Sequence, residues 1–176
     1  MAAPRLVPVN AITIRPERPD DREAVIRVNE SAFGQPDEAD LVDRLRRQSP
    51  GYLGLVAEAD GVVVGHILFS SVTLDAGSAD VRGLAPMAVL PEHQRSGVGS
   101  ELVLAGQATC AGDGAEAVVV LGHPDYYPRF GFRPASAFGL SCAYEVPDEA
   151  FMALELVEGA LADAEGVARY HPAFGG

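Results

Sequence analysis

The sequence predicts an α/β domain built on a mixed sheet with helices on both faces. Three observations carry that expectation. Strand-like apolar stretches and amphipathic helical stretches follow one another in the order β-α-α-β-β-β-α-β-α-β-β. The chain has 176 residues, 48% apolar and 22% charged, which suits one globular domain with a sizeable core. Finally, the stretch Leu84–Leu104 (LAPMAVLPEHQRSGVGSELVL) runs an apolar strand through a glycine-bearing loop directly into a helix.

Residues 1–10 read as a flexible tail and 11–176 as a single domain. Ala11–Arg15 alternates enough for a first strand. Asp20 is placed to cap the next helix, with Glu23 closing a capping box, and Ala24, Val25, Val28 and Ala32 share one face. A second helix starts near Asp37, buries Leu41, Val42 and Leu45, and ends in Arg44, Arg46 and Arg47, which complement the helix dipole before Pro50-Gly51 stops it. Leu53–Ala59 and Val62–Leu74 form a hairpin across the turn Asp60-Gly61. Asp80–Val89 is the strand that enters the glycine loop, and the helix from Gly97 ends near Gly112-Asp113-Gly114. Ala117–Leu121 is uniformly apolar and reads as a buried strand. A short turn around Tyr126–Phe130, a strand start at Phe132, a late strand Phe151–Leu156 and an edge piece Gly166–Tyr170 complete the order.

Two glycines one residue apart at a strand-to-helix junction let a ligand approach the backbone. The first N–H groups of a helix have no intrahelical partner and attract anions. Arg95 adds a positive charge beside them. The spacing excludes a Walker loop, because the chain contains no lysine, and it excludes a dinucleotide fingerprint, because Leu102 stands where a third glycine or alanine is required. Pro86 cannot donate to a ladder, so it belongs at a bulge or where the neighbouring strand has parted.

The motif Gln-Arg-x-Gly-x-Gly resembles the pyrophosphate loop of the GNAT superfamily of acetyl-CoA-dependent N-acetyltransferases. The pieces TIRPERPDD, LVAEADGVVVGHI, the glycine loop and YYPRFGF stand in that superfamily's usual order, over about residues 11–157. The run Tyr126–Phe132, with the tail ALELVEGAL and HPAF, is similar to the YhbS-like branch. The resemblance implies a mixed, mostly antiparallel sheet whose central strand pair splays apart, with the pantetheine arm of acetyl-CoA lying in the gap like an added strand. Met87, Ala88 and Val89 would then offer backbone contacts, the Val89 N–H facing the thioester oxygen. Gln94, Arg95, Ser96, Gly97, Val98, Gly99 and Ser100 would wrap the pyrophosphate. Tyr127, four residues before Gly131-Phe132, would face the coenzyme sulfur as general acid, since a phenol near pKa 10 can protonate a departing thiolate. Tyr126 is the alternative acid and a coenzyme contact.

The general base stays open between His123, Glu30 and a chain of water, because Gly83–Val89 lacks the carboxylate that many relatives carry there. The asparagine usual ahead of the tyrosine is also missing. Glu92 and His93 are expected to face solvent, and residues 29–50 and 136–150 to shape the acceptor cleft. The implied reaction is transfer of acetyl from acetyl-CoA to a primary amine, on a small molecule or a peptide, in a ternary complex. The alternative is an acyl-CoA-binding sensor or regulatory module with little catalysis.

Composition narrows the partners. A net charge of −12 disfavours nucleic acid and suits a cationic acceptor. No apolar run is long enough to span a bilayer. MAAPRLVPVN lacks the layout of a signal peptide, which predicts a cytoplasmic location. Cys110 and Cys142 are far apart and read as reduced, and His66, His93 and His171 show no metal-ligand spacing, so no metal is expected. A homodimer is compatible with the resemblance.

Overall fold

The computed structural model describes residues 11–175; the tail read over residues 1–10 lies outside the described residues. The elements are β1 (Ile12–Pro16), α1 (Arg22–Phe33), α2 (Asp37–Gln48), β2 (Leu53–Ala59), β3 (Val62–Ala76), β4 (Val81–Val89), α3 (Val98–Gly112), β5 (Ala117–Leu121), β6 (Arg133–Pro134), β7 (Leu140–Cys142), β8 (Phe151–Glu155) and β9 (Glu165–Arg169). The main sheet runs β1-β2-β3-β4-β5-β8-β6, and β9 joins the far end of β3 to β7. Pairing is antiparallel except between β4 and β5 and between β7 and β9.

Alternation along β3 sends side chains to opposite faces. Gly65 and Phe69 meet Leu102 and Gly106 of α3, while His66 meets Asn29 of α1 on the other face. Helices therefore cover both faces. Val25, Val28, Leu45, Leu68, Leu102 and Val103 are fully buried between these layers. Each such side chain contributes about 1.5–3 kcal/mol through transfer from water.

A buried polar network ties α1 and α2 to the sheet. The Glu17 carboxylate accepts from Tyr52 Oη at 2.5 Å, from His66 Nε2 at 3.2 Å and from Arg46. Asn29 Nδ2 donates to His66 Nδ1 at 3.3 Å, which leaves the other ring nitrogen as the donor to Glu17. Burial alone would raise the Glu17 carboxyl, but the bonds from His66, Tyr52 and Arg46 outweigh it and hold the group at about 2.

The first helix begins differently from the sequence expectation. Pro19–Asp21 forms a 3₁₀ turn, and Asp21, not Asp20, accepts from the Arg18 N–H at 2.7 Å while pairing with Arg15. Arg15 arrives from β1, so the acid one residue further on meets both partners. The piece read as an edge over Gly166–Tyr170 is β9, which has partners on both sides.

The site is prepared by β4. Between the pairs Ile67↔Met87 and Phe69↔Leu84, Ala85 and Pro86 stand opposite Leu68 alone, a bulge on β4. On its other edge, β4 pairs with β5 only from Val81↔Ala117 to Leu84↔Val120. Beyond Leu84 the two strands part, as Pro86 foretold.

Candidate active site at the parted strands

Two adjoining cavities open where β4 leaves β5. One, of about 590 Å³, runs from Met87, Ala88 and Val89 past Gln94, Arg95, Gly97, Gly99 and Ser100 to Tyr126. The second, of about 740 Å³, lies between the α1–α2 corner and the end of β5, and is lined by His123, Tyr126 and Tyr127 among others. Met87, Gln94, Arg95, Phe33 and Tyr126 border both, so the two form one bent groove.

Among the described residues, the strand edge facing the groove carries donors with no backbone partner. Leu90 N–H donates to Val64 O at 2.8 Å, towards β3. Alternate residues of a strand direct their N–H groups to opposite edges, so those of Val89 and Met87 point to the edge that β5 has left. Val89 O, on the same edge, accepts from Gln94 Nε2 at 3.0 Å.

At the groove's other end, α3 begins. Gly97 adopts φ +89° as its N-cap, a left-handed conformation that costs glycine little. Arg95 takes the left-handed region at φ +58°, which costs a residue with a Cβ about 1–2 kcal/mol. Gly97 O accepts from Glu101 N at 3.0 Å, and the N–H groups of Val98, Gly99 and Ser100 precede that first helical bond. Ser96 and Val98 do not line the groove: Ser96 Oγ donates to His93 O, and the Val98 side chain packs against Gly65 in the core. Only the backbone of Val98 could serve a ligand.

The aromatic wall follows β5. Tyr126 N donates to His123 O at 3.1 Å, and a 3₁₀ turn covers Tyr127–Phe130. Tyr126 and Tyr127 meet edge to face with centroids 5.1 Å apart, and Tyr127 rests similarly on Phe132 at 5.6 Å. A Cβ on Gly122 would lie 2.4 Å from the Tyr127 ring, so glycine there allows the ring to press on the backbone. Tyr127 is 7% exposed, and burial, with Tyr126 alongside, pushes its phenol up to about 12. Tyr126 Oη stands 3.5 Å from Ser100 Oγ, closing the wall onto α3.

Several lining residues were not anticipated. The Arg129 guanidinium stacks over the Tyr126 ring at 4.6 Å and borders the first cavity, so two guanidiniums flank the helix start of an acidic protein. The Tyr126-Tyr127-Pro128 turn that carries Arg129 was the available signal. His93, expected to face solvent, is half-buried and lines that cavity. Phe33, Glu38 and Leu41, within the stretch 29–50 expected to shape the acceptor cleft, line the second cavity from α1 and α2. Glu30 does not, and it is exposed. Residues 136–150 do not line either half; Ser136, Leu140–Cys142 and Tyr144–Asp148 border a separate cavity of about 280 Å³. No group of three or more metal-ligating side chains occurs among the described residues.

Residues 20–132 match the acetyltransferase (GNAT) family. The chain is 41% identical over 143 residues to the uncharacterized N-acetyltransferase YjhQ of Escherichia coli K12, covering 78% of this chain and 77% of that protein. It is 35% identical over 162 residues to the uncharacterized N-acetyltransferase YhbS of the same strain, covering 92% and 97%. The crystal structure of E. coli YhbS in complex with CoA superposes with a TM-score of 0.88 at 34% identity, over 95% of this chain and 93% of that one. A GNAT family acetyltransferase from Brucella melitensis in complex with acetyl-CoA gives 0.75 at 36% identity, over 94% and 99%. The mixed, mostly antiparallel sheet with its parted central strands is thus a GNAT fold, and the chain belongs to the GNAT acetyltransferase family.

Proposed function

We propose that residues 11–176 act as one N-acyltransferase domain that binds acetyl-CoA along the open edge of β4 and transfers acetyl to a primary amine in a ternary complex. The observation that carries this reading is an unpaired strand edge leading to a free helix start. A pantetheine arm has amide donors and acceptors like a strand, and the edge at Met87 and Val89 offers it partners. The pyrophosphate would meet the first N–H groups of α3, with Arg95 and Arg129 on either side. The CoA and acetyl-CoA held by the two solved relatives support the same ligand here.

In the transfer, the amine nitrogen attacks the thioester carbonyl, the C–N bond forms, and the C–S bond breaks to release a thiolate. The Val89 N–H would donate to the carbonyl oxygen as negative charge builds there. Tyr127 would serve the departing sulfur. A phenol held at about 12 stays protonated at working pH, yet full transfer to a thiolate of ordinary pKa about 8.5 would be uphill by about 5 kcal/mol. Its contribution is therefore the hydrogen bond donated as the C–S bond breaks, with solvent completing the protonation. His123, at the same cavity, is the group we assign to take the proton of the amine. No covalent acyl-enzyme is needed: Cys110 is buried and its thiol pushed up to about 12 by burial, and Cys142 borders the separate cavity.

Release of coenzyme A from acetyl-CoA, followed with and without an amine panel, tests the proposal. Amine-dependent release is the predicted result. Tight acetyl-CoA binding with no release for any amine would leave a binding module instead.

A further inference from the structure

We infer that the acceptor is a small, singly charged primary amine on an apolar aryl or branched-alkyl body, its ammonium received by Glu38. This rests on the acetyl-transfer reading above. The 740 Å³ cavity falls in the range of small-molecule sites, about 300–1,000 Å³, and it adjoins the edge of β4 where the thioester would lie. Its walls are mainly apolar: Phe33 and Leu41 from the helical corner, Leu84 and Pro86 from β4, and Leu121 from the end of β5. Phe33 is 42% and Leu121 40% exposed. Large apolar side chains left open to water inside a cleft mark a surface that another apolar body covers.

The charges in the cavity define the cation. Among the described residues lining it, Glu38 supplies the only carboxylate, and Gln35 Nε2 donates to both of its oxygens, at 3.2 and 3.3 Å. Glu38 is half-buried in the first turn of α2. Arg95 also borders the cavity, but its charge is engaged by the pyrophosphate in the reading above. A single carboxylate receives a single ammonium and disfavours polyamines and aminoglycosides, which need several acids. The ammonium gives its proton to His123 before attack, as above.

The test compares kcat/KM for phenethylamine and isopentylamine with that for spermidine and kanamycin, alongside acetyl-CoA affinity by calorimetry. The apolar amines should lead by roughly ten-fold or more. Glu38→Gln should raise KM for phenethylamine about five-fold, and Leu121→Ser should lower kcat/KM for the same amine roughly ten-fold, with acetyl-CoA affinity unchanged in both. Preference for spermidine or kanamycin, no transfer to either apolar amine, or an unchanged amine KM in Glu38→Gln overturns the inference while leaving acetyl transfer standing. A wild-type protein that does not bind acetyl-CoA overturns the transfer reading itself, and this inference with it.

Discussion

The two halves of β4 obey opposite rules. Val81–Leu84 is hydrogen-bonded to β3 on one edge and β5 on the other, and its polar side chain is provided for: Arg82 is buried, donating to Asp80 Oδ1 and Gly51 O, each at 3.0 Å. Ala85–Val89 keeps β3 but loses β5, and its outward N–H groups open onto a groove. A bulge at a residue that cannot donate, beside a strand that stops at Leu121, is enough to change a fully paired strand into an open edge within one element. The Glu17 network on the helical side makes the same point from the other direction. Its carboxylate already has three donors, whereas Arg95 and Arg129 face a cavity.

The largest effects should separate the halves by readout. A Cβ on Gly83 would lie 2.4 Å from the Tyr170 ring and 2.8 Å from Val72 Cγ2. Gly83→Val should therefore lower the melting temperature by roughly 2–12 °C, as overpacking of about 1–3 kcal/mol implies. A Cβ on Gly99 would meet Tyr126 Oη at 3.0 Å and Met87 Cε at 3.6 Å, on the groove side. Gly99→Val should leave melting nearly unchanged and weaken acetyl-CoA roughly ten-fold by calorimetry. If Gly99→Val instead melts early with normal affinity, the open half of β4 and its loop are structural like the other.

Tyr127→Phe sharpens the comparison at the aromatic wall. The ring's packing survives, so acetyl-CoA affinity should hold while kcat falls roughly ten-fold, and Tyr126→Phe should be milder. A reversal would move the hydroxyl's role by one residue. In the role proposed for it Tyr127 acts in its protonated form, and a phenol at about 12 loses that proton only as pH rises through that value. The profile of kcat should show no loss attributable to it below about pH 11. A loss near pH 9 that vanishes in Tyr127→Phe would mean the phenol is not held up by burial.

Arg95→Ala should have the smallest effect. Arg95 is exposed, so its loss should weaken acetyl-CoA about two- to five-fold and flatten the salt dependence of binding. An unchanged salt dependence would place Arg95 away from the phosphates.

What could be read before the fold was known is what short-range chemistry decides. The helix start at Gly97, the Asp60-Gly61 hairpin and the ladder-breaking Pro86 each follow from a few neighbouring residues. What could not be read depends on partners remote in sequence. Asp21 displaced Asp20 because Arg15 reaches it from β1. The short β7 pairs with β9, across 26 residues from Leu140 to Gly166, and no local pattern announces that. Residues 29–50 were expected at the cleft, but which of them share a cavity with Leu121 depends on how α1 and α2 fold over the parted strands. Residues 136–150 looked free to shape the cleft, but β8 and β9 carry them to another face and their own cavity.

In the proposed complex, acetyl-CoA completes the edge of β4 beyond Leu84. Residue-resolved amide hydrogen exchange, with and without saturating acetyl-CoA, measures this directly. The amides of Met87 and Val89 should exchange freely in the unliganded protein and slow by roughly ten-fold or more when the ligand is bound, while that of Leu90, already bonded to Val64 O, changes much less. Bound acetyl-CoA that leaves Met87 and Val89 exchanging at their unliganded rates would contradict the account.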